Sequence, residues 1–399
     1  MISPGAQRPT QRQLTVSQWL GQNLFATWSN TLLTLVCLAG LGLVGGMICR
    51  WLLLYADLAV ISTNLRLFWV GRYPLAQTWR LWGILTIASG TLAISWTLLV
   101  SLQRRTLMAW IALGLVNGAF SLAGGLTWGI ISGLCLWIVG GLSLGQFLRH
   151  RHPTLPWLWL LPVQWVLALV TTLWLLGGGW GLTPVSTAFW NGLLLTVLLA
   201  VISIGLSFPL GILLALGRRS SLPVIRGLCV IYIEGMRGLP LIGVLFMAQV
   251  MVPLVLPPSM QLDQVLRGII GLTLFSAAYL AENVRGGLQS IPPGQTEAAQ
   301  ALGLSAPLVL GLIVLPQALR AVIPALVGQF IGLFKDTSLL AIVGLVELTR
   351  MGRSILAQPQ FQGRYLEVYL FTGLIYWICC YGLSMGSRRI EAILKVGQR

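Results

Sequence analysis

Long apolar runs, separated only by short basic punctuation, leave this chain few ways to fold. About 20 apolar residues cross a bilayer core as an α-helix. Runs of that kind lie at 31–54, 81–102, 106–123, 126–147 and 156–176, and again at 188–216, 224–256, 265–288, 316–334 and 369–384. Charge is too scarce for any other solution. A soluble domain carries roughly 25% charged residues, whereas this chain of 399 residues carries 9% and is 56% hydrophobic. The expected fold class is all-α integral membrane, with about ten transmembrane helices. A further apolar stretch at 339–348 is too short to span alone.

The formal net charge of +16 raises nucleic acid as a partner, but its distribution argues against it. Nucleic-acid binders gather basic residues into a stripe or patch. Here they sit between apolar runs, as in Arg104-Arg105, Arg149-His150-Arg151-His152, Arg218-Arg219 and Arg388-Arg389. That is the pattern of cytoplasmic loops under the positive-inside rule. Ten spans with Met1 inside return Arg399 to the same side and put these clusters, with a cytoplasmic segment at 1–28, in the cytoplasm. Arg66, Arg72, Arg80, Arg350, Arg353 and Arg364 then fall outside, against the trend. The N-terminus lacks the short hydrophobic core and small-residue site of a cleaved signal peptide. The six cysteines lack metal-ligand spacing and the two histidines share one loop, so no metal site is expected. No catalytic constellation is visible.

The acids divide the chain. Residues 1–186 hold one, Asp57; the remainder holds eight. A Gly-rich turn, Gly177-Gly178-Gly179-Trp180-Gly181, separates five spans from five. We read 29–177 as an N-terminal transmembrane extension and 187–390 as the transport domain. The tryptophans of the extension, among them Trp69, Trp79, Trp82, Trp157 and Trp159, suit interfacial anchoring.

Within the second module, 290–316 is a polar interruption between two spans, a loop on the expected cytoplasmic side. Pro292-Pro293-Gly294 cannot continue the preceding helix. Residues 295–302 then read as a short Ala-rich helix, Gly303 as its left-handed stop, and Ser305 as the N-cap of a second helix with Pro307 in its first turn. A small-faced helix exposed to the cytosol suits insertion into a groove of another protein.

The spacing is also a signature. Glu297-Ala298-Ala299, Gly303, Ile313 and Leu315-Pro316 match E-A-A-x3-G-x9-I-x-L-P at every fixed position. This resembles the coupling loop of ABC importer membrane subunits. Arg237-Gly238-Leu239-Pro240-Leu241 resembles the R-G-T-P-L of polar amino acid permeases, with Leu239 in place of Thr. The stretch from Ala278 to Pro292 resembles their A-Y-x-A-E-x-x-R-G-G-x-Q-S-I-P, and Lys335-Asp336-Thr337-Ser338-Leu339 matches K-D-T-S-L. About half of the chain is covered. It resembles the histidine/glutamine/glutamate/arginine permease family of type I ABC importers, and in length the longer subunit of general L-amino-acid importers.

The resemblance implies a five-helix type I core preceded by a five-helix extension, in the cytoplasmic (inner) membrane of a bacterium. It implies ATPase coupling through Glu297, Ala298, Ala299 and Gly303. The implied partners are an ATP-binding subunit dimer, a second homologous permease subunit in a heterodimer, an extracytoplasmic substrate-binding protein, the amino acid substrate and membrane lipid. No cofactor belongs to this chain; ATP and magnesium belong to the partner ATPase. The sequence concurs on one point. A P-loop needs Gly-Lys, and neither lysine, Lys335 or Lys395, follows glycine.

An ionisable residue at membrane depth is normally turned toward protein or water. Lys335 and Asp336 are adjacent and cannot pair across a helix face. A helix break there, with Thr337 and Ser338 satisfying freed backbone groups, serves either as a hinge or as a pathway lining. Glu282 and Arg285 share a face, either fixing the coupling loop or meeting substrate. Glu234 and Arg237 repeat that spacing, followed by a kink and an exposed carbonyl expected at Pro240. Asn191 reads as a cap, an interhelical bond or a substrate contact. An ion-coupled secondary transporter is the alternative and would use Asp336 and Glu282 as cation or proton sites, but the two halves show no inverted repeat. A membrane-embedded transferase would need an acid/base set that is not visible.

Overall fold

The computed structural model describes residues 15–99, 125–151 and 157–393. The expected span at 106–123, the basic loop at 103–105, the loop at 152–156 and the tail beyond 393 lie outside the described residues. Regular structure among the described residues is helical, with two isolated bridges besides. They divide into two compact units, one ending at Val60 and one starting at Ile61.

The first unit holds α1 (Val16–Asn23) and α2 (Trp28–Leu54). The Thr27 hydroxyl oxygen caps α2 by accepting the Asn30 amide at 3.2 Å. At 1.5 Å per residue, α2 is roughly 40 Å long and spans a bilayer core. It buries none of its residues.

α3 (Ala59–Val70) leads into the second unit, which continues with α4 (Thr78–Leu99), α5 (Gly125–Arg151) and α6 (Trp157–Gly177). The core follows as α7 (Gly192–Arg218), α8 (Pro223–Gly238), α9 (Leu241–Phe246), α10 (Gln264–Gln289), α11 (Pro293–Ala301), α12 (Leu315–Asp336), α13 (Leu348–Leu356) and α14 (Tyr365–Ile393). Six helices among the described residues are long and apolar enough to cross a membrane, or seven if α8 and α9 with its continuation form one span. α5 and α6, where the sequence predicts spans, contain shorter apolar helices at Trp137–Leu148 and Leu161–Gly177. α3 is another short apolar helix, one that run length in the sequence does not mark.

Small residues set the packing. α7 and α10 run parallel in contact, and a Cβ on Gly211 would stand 2.7 Å from the Leu280 Cβ. α10 meets α12 at Gly287, where a Cβ would stand 2.6 Å from the Ala318 carbonyl oxygen. Ala215, Leu280, Val284, Leu288 and Ala318 are buried around these contacts. In the extension, Gly90, Gly141 and Gly145 let α4 and α5 approach. Trp165 Nε1 donates to Ser95 Oγ at 3.1 Å and joins α6 to α4.

The predicted kink is a break of 105° between α8 and the segment from Leu241 to Val255. Pro240 has no amide to continue α8. Its carbonyl, expected to be exposed, instead accepts the Gly243 and Val244 amides at 2.9 and 3.3 Å, making Pro240 the N-cap of α9.

Candidate functional site

Three places gather the core's polar side chains. The first is an ionic cluster at the end of the core that carries α11. The last turn of α7 contributes Arg218, the end of α8 contributes Glu234 and Arg237, and α10 contributes Glu282 and Arg285. Arg285 Nε donates to Glu282 Oε1 at 2.7 Å and its Nη2 makes a second contact with the same oxygen. Arg218 Nη1 donates to Glu234 Oε1 at 2.8 Å and to Glu282 Oε2 at 3.3 Å. Arg237 is looser, with Nη1 3.7 Å from Glu234 Oε2 and 3.8 Å from Glu282 Oε2, and its guanidinium lies 5.8 Å over the Tyr279 ring. Both expected i,i+3 pairs form. Sequence alone places Arg218 in a basic loop, whereas in the fold it occupies the last turn of α7, where the helix dipole favours a cation.

Three residues past α10 begins α11. Its capping carbonyl at Pro292 accepts the Gln295 amide at 3.1 Å. Gly303 adopts φ +81°, the left-handed stop the sequence predicts. α11 is two-sided. Ala299 is buried against the core, whereas Glu297, Ala298, Leu302 and Gly303 are exposed. Leu302 is 84% exposed, an apolar side chain at a helix end that sequence reasoning missed. Adjacency to the motif was the only signal.

The second place is the end of α12. Lys335 is exposed and Asp336 half-buried in its last turn. The α-helix stops there and tightens into a 3-10 turn, Thr337–Ala341. The buried Thr337 hydroxyl donates to the Phe334 carbonyl at 2.7 Å, satisfying a terminal acceptor; Ser338 is half-buried beside it.

The third place is a seam that the sequence did not single out. Glu347, fully buried, caps α13 by accepting the Thr349 and Arg350 amides at 2.8 and 2.9 Å, and it accepts the Tyr376 hydroxyl at 3.0 Å. Burial pushes its carboxyl above the usual range, against those donors. Beside it the Gly192 amide donates to the Val346 carbonyl, and the Leu348 amide to Thr196 Oγ1, both at 3.0 Å. Asn191 Oδ1 accepts the Arg72 amide at 3.4 Å and its Nδ2 donates to the Trp190 carbonyl at 2.9 Å, so this residue joins two elements. Gly71, at φ +57°, has no room for a side chain, because a Cβ would stand 2.2 Å from that of Asn191.

Several arginines that break the charge trend are committed to this end of the fold. Arg80 is 1% exposed and donates to the Thr183 carbonyl and hydroxyl at 2.9 and 2.8 Å. Arg66 donates to the Tyr73 carbonyl, Arg350 to the Ala341 carbonyl, and Arg364 faces Glu367 at 3.8 Å. Such side chains serve structure rather than topology. Among the described residues no His, Cys, Asp and Glu group could hold a metal ion.

The family model described as "Binding-protein-dependent transport system inner membrane component" matches residues 207–392. The chain is 36% identical over 395 residues to the inner membrane amino-acid ABC transporter permease protein YhdY of Escherichia coli (strain K12), covering 95% of this chain and 93% of the relative. It is 38% identical over 356 residues to the glutamate/glutamine/aspartate/asparagine transport system permease protein BztC of Rhodobacter capsulatus, covering 86% and 79%. A crystal structure of an amino acid ABC transporter with histidines shares 29% identity over 50% of this chain and 91% of that one, with a TM-score of 0.46.

Proposed function

The chain belongs to the inner-membrane amino-acid permeases of ABC transporters, and from that membership we propose that it is the translocating subunit of an ATP-driven importer of polar amino acids. Its substrates would be of the acidic and amide kind named for the Rhodobacter relative. The path lies in 187–390, between this core and a second, unequal permease subunit, and opens to each side in turn. The extension at 29–177 serves as scaffold and lipid contact. An external binding protein delivers the substrate. Two ATPase subunits, which hold ATP and magnesium, grip the loop at 290–316, on the cytoplasmic side to which both termini of this chain are assigned.

The observation that carries this reading is the two-sided α11. An apolar Leu302 and the small Ala298 and Gly303 face outward, as a helix seated in a groove requires. Ala299 holds the inward face on the core. Movement of α11 therefore reaches α10 through three intervening residues, and α10 carries Glu282 and Arg285. Lys335, Asp336, Thr337 and Ser338 supply the hinge or lining at the other end of the path.

Cysteine cross-linking tests the contact in the assembled transporter. Leu302→Cys and Glu297→Cys, placed in a cysteine-free background, should cross-link to the ATPase subunit, and Ala299→Cys should not. Equal cross-linking at all three positions, or none at Leu302 and Glu297, would sink the reading.

A further inference from the structure

We propose that Arg237 and Glu234 form a binding subsite for the zwitterionic backbone of an amino acid, with Arg237 taking the carboxylate and Glu234 the ammonium. The proposal rests on the permease reading and deepens it.

The five-residue cluster is not uniform. Its tight members, Arg285 on Glu282 and Arg218 on both carboxylates, form charge-assisted hydrogen bonds that tie α7, α8 and α10 together. The pair one turn apart at the end of α8 is different. Arg237 approaches Glu234 and Glu282 only to 3.7 and 3.8 Å, outside hydrogen-bond range. A guanidinium has five N–H donors in a planar fork that suits a carboxylate. On Arg237 none of them is spent on a hydrogen bond, although its side chain is two-thirds buried. Glu234 is in the matching condition. Oε1 accepts from Arg218, while Oε2 has only the loose Arg237 contact, and the side chain is half exposed.

The pairing also leaves one guanidinium without a carboxylate of its own. Three arginines face two carboxylates, which leaves one positive charge. A bound zwitterion places its carboxylate on that excess and its ammonium on the open oxygen of Glu234. The Tyr279 ring beneath Arg237 holds the guanidinium plane in place while the fork exchanges partners. The 105° break between α8 and the segment from Leu241 to Val255 follows directly.

Direct binding to the purified permease–ATPase assembly without its binding protein tests the subsite, with L-glutamine as probe and saturation-transfer NMR as readout. Two analogues sort the contacts: 4-aminobutanamide lacks the carboxylate and glutaramic acid lacks the ammonium. Wild type should prefer L-glutamine to both. Arg237→Gln should weaken L-glutamine by about 10–100-fold, the loss of a charge-assisted pair, and should erase the preference over 4-aminobutanamide while keeping that over glutaramic acid. Glu234→Gln should do the reverse. Should Arg237→Gln fail to assemble, Arg237→Lys keeps the charge, loses the fork, and should show the same selective loss in smaller measure. A structural role alone would weaken all three ligands alike and leave the preferences unchanged, which overturns the proposal. So does an absence of L-glutamine binding to wild type. ATP-driven uptake of radiolabelled L-glutamine by the complete transporter, measured in parallel, separates the two levels: uptake without this binding removes the subsite alone, and no ATP-driven uptake of any amino acid removes the permease reading beneath it.

Discussion

Two neighbouring glycines on α10 should respond in opposite directions to the same added methyl group. Gly287 packs α10 against α12, with a Cβ position 2.6 Å from the Ala318 carbonyl oxygen and 2.8 Å from a Val322 methyl group. Ordinary contact begins near 3.4 Å, so Gly287→Ala drives the helices apart by about 0.8 Å. The atom in the way is backbone and cannot rotate aside. Overpacking of this kind costs about 1–3 kcal/mol. Against it stands the helix preference for Ala over Gly, about 1 kcal/mol. Gly286 has nothing within 4 Å of its Cβ position, so Gly286→Ala keeps the gain and avoids the clash. The two variants should therefore differ by about 1–3 kcal/mol. Thermal unfolding in detergent, followed by tryptophan fluorescence, should place Gly286→Ala at or above wild type and Gly287→Ala below it. Gly287 is two residues from the end of α10, so the displaced variant should also lose coupling of ATP hydrolysis to uptake. Equal melting of the two variants would refute the claim that this contact is close-packed.

Gly303→Val forces a β-branched residue into φ +81° with no clash around it; it should uncouple transport from ATP hydrolysis while assembly, read by co-purification of the ATPase, persists. Leu302→Asp should weaken that co-purification and leave the melting of the isolated permease within about 0.5 kcal/mol of wild type, as for an exposed site. Arg80→Met removes two hydrogen bonds from a buried guanidinium to the exposed Thr183 and should cost about 1–3 kcal/mol, read as a lower melting temperature. The raised pKa of Glu347 has a defined sign: its contribution is fully present below the unfolded value and is lost as pH rises through the folded one. Wild type should lose stability as pH rises from about 4.5 through that folded value. Glu347→Gln should flatten that slope in melting curves taken across the same range.

The sequence displays the α-helical membrane class and the α11 loop because both rest on local rules. Apolar run length decides a span, and Pro292, Gly294 and Gly303 punctuate α11 within a dozen residues. Glu282–Arg285 and Glu234–Arg237 were legible for the same reason, as each pair lies one turn apart. What stayed hidden is non-local. Arg218 joins Glu282 across 64 positions, and Gly71 meets Asn191 across 120; neither has a periodic trace. Glu347 looked like any acid beside a short apolar stretch, and only the fold buries it against Tyr376. The short α3 fell below the length that marks a span. Arg80, Arg66 and Arg350, which count against the positive-inside expectation, bind carbonyls, a use that a charge count does not register.

The central claim is that ATP, through α11, drives an amino acid through this core. Proteoliposomes holding the complete transporter, with binding protein outside and ATP inside, measure it most directly. Ionophores collapse every ion gradient, and initial uptake of radiolabelled L-glutamine and L-glutamate is followed with ATP and with a non-hydrolysable analogue. Uptake should continue without gradients, stop with the analogue, and fall to background in Gly303→Val while hydrolysis goes on. Uptake that vanishes with the gradients and ignores the nucleotide would contradict the claim and make Asp336 and Glu282 the residues of an ion-coupled carrier.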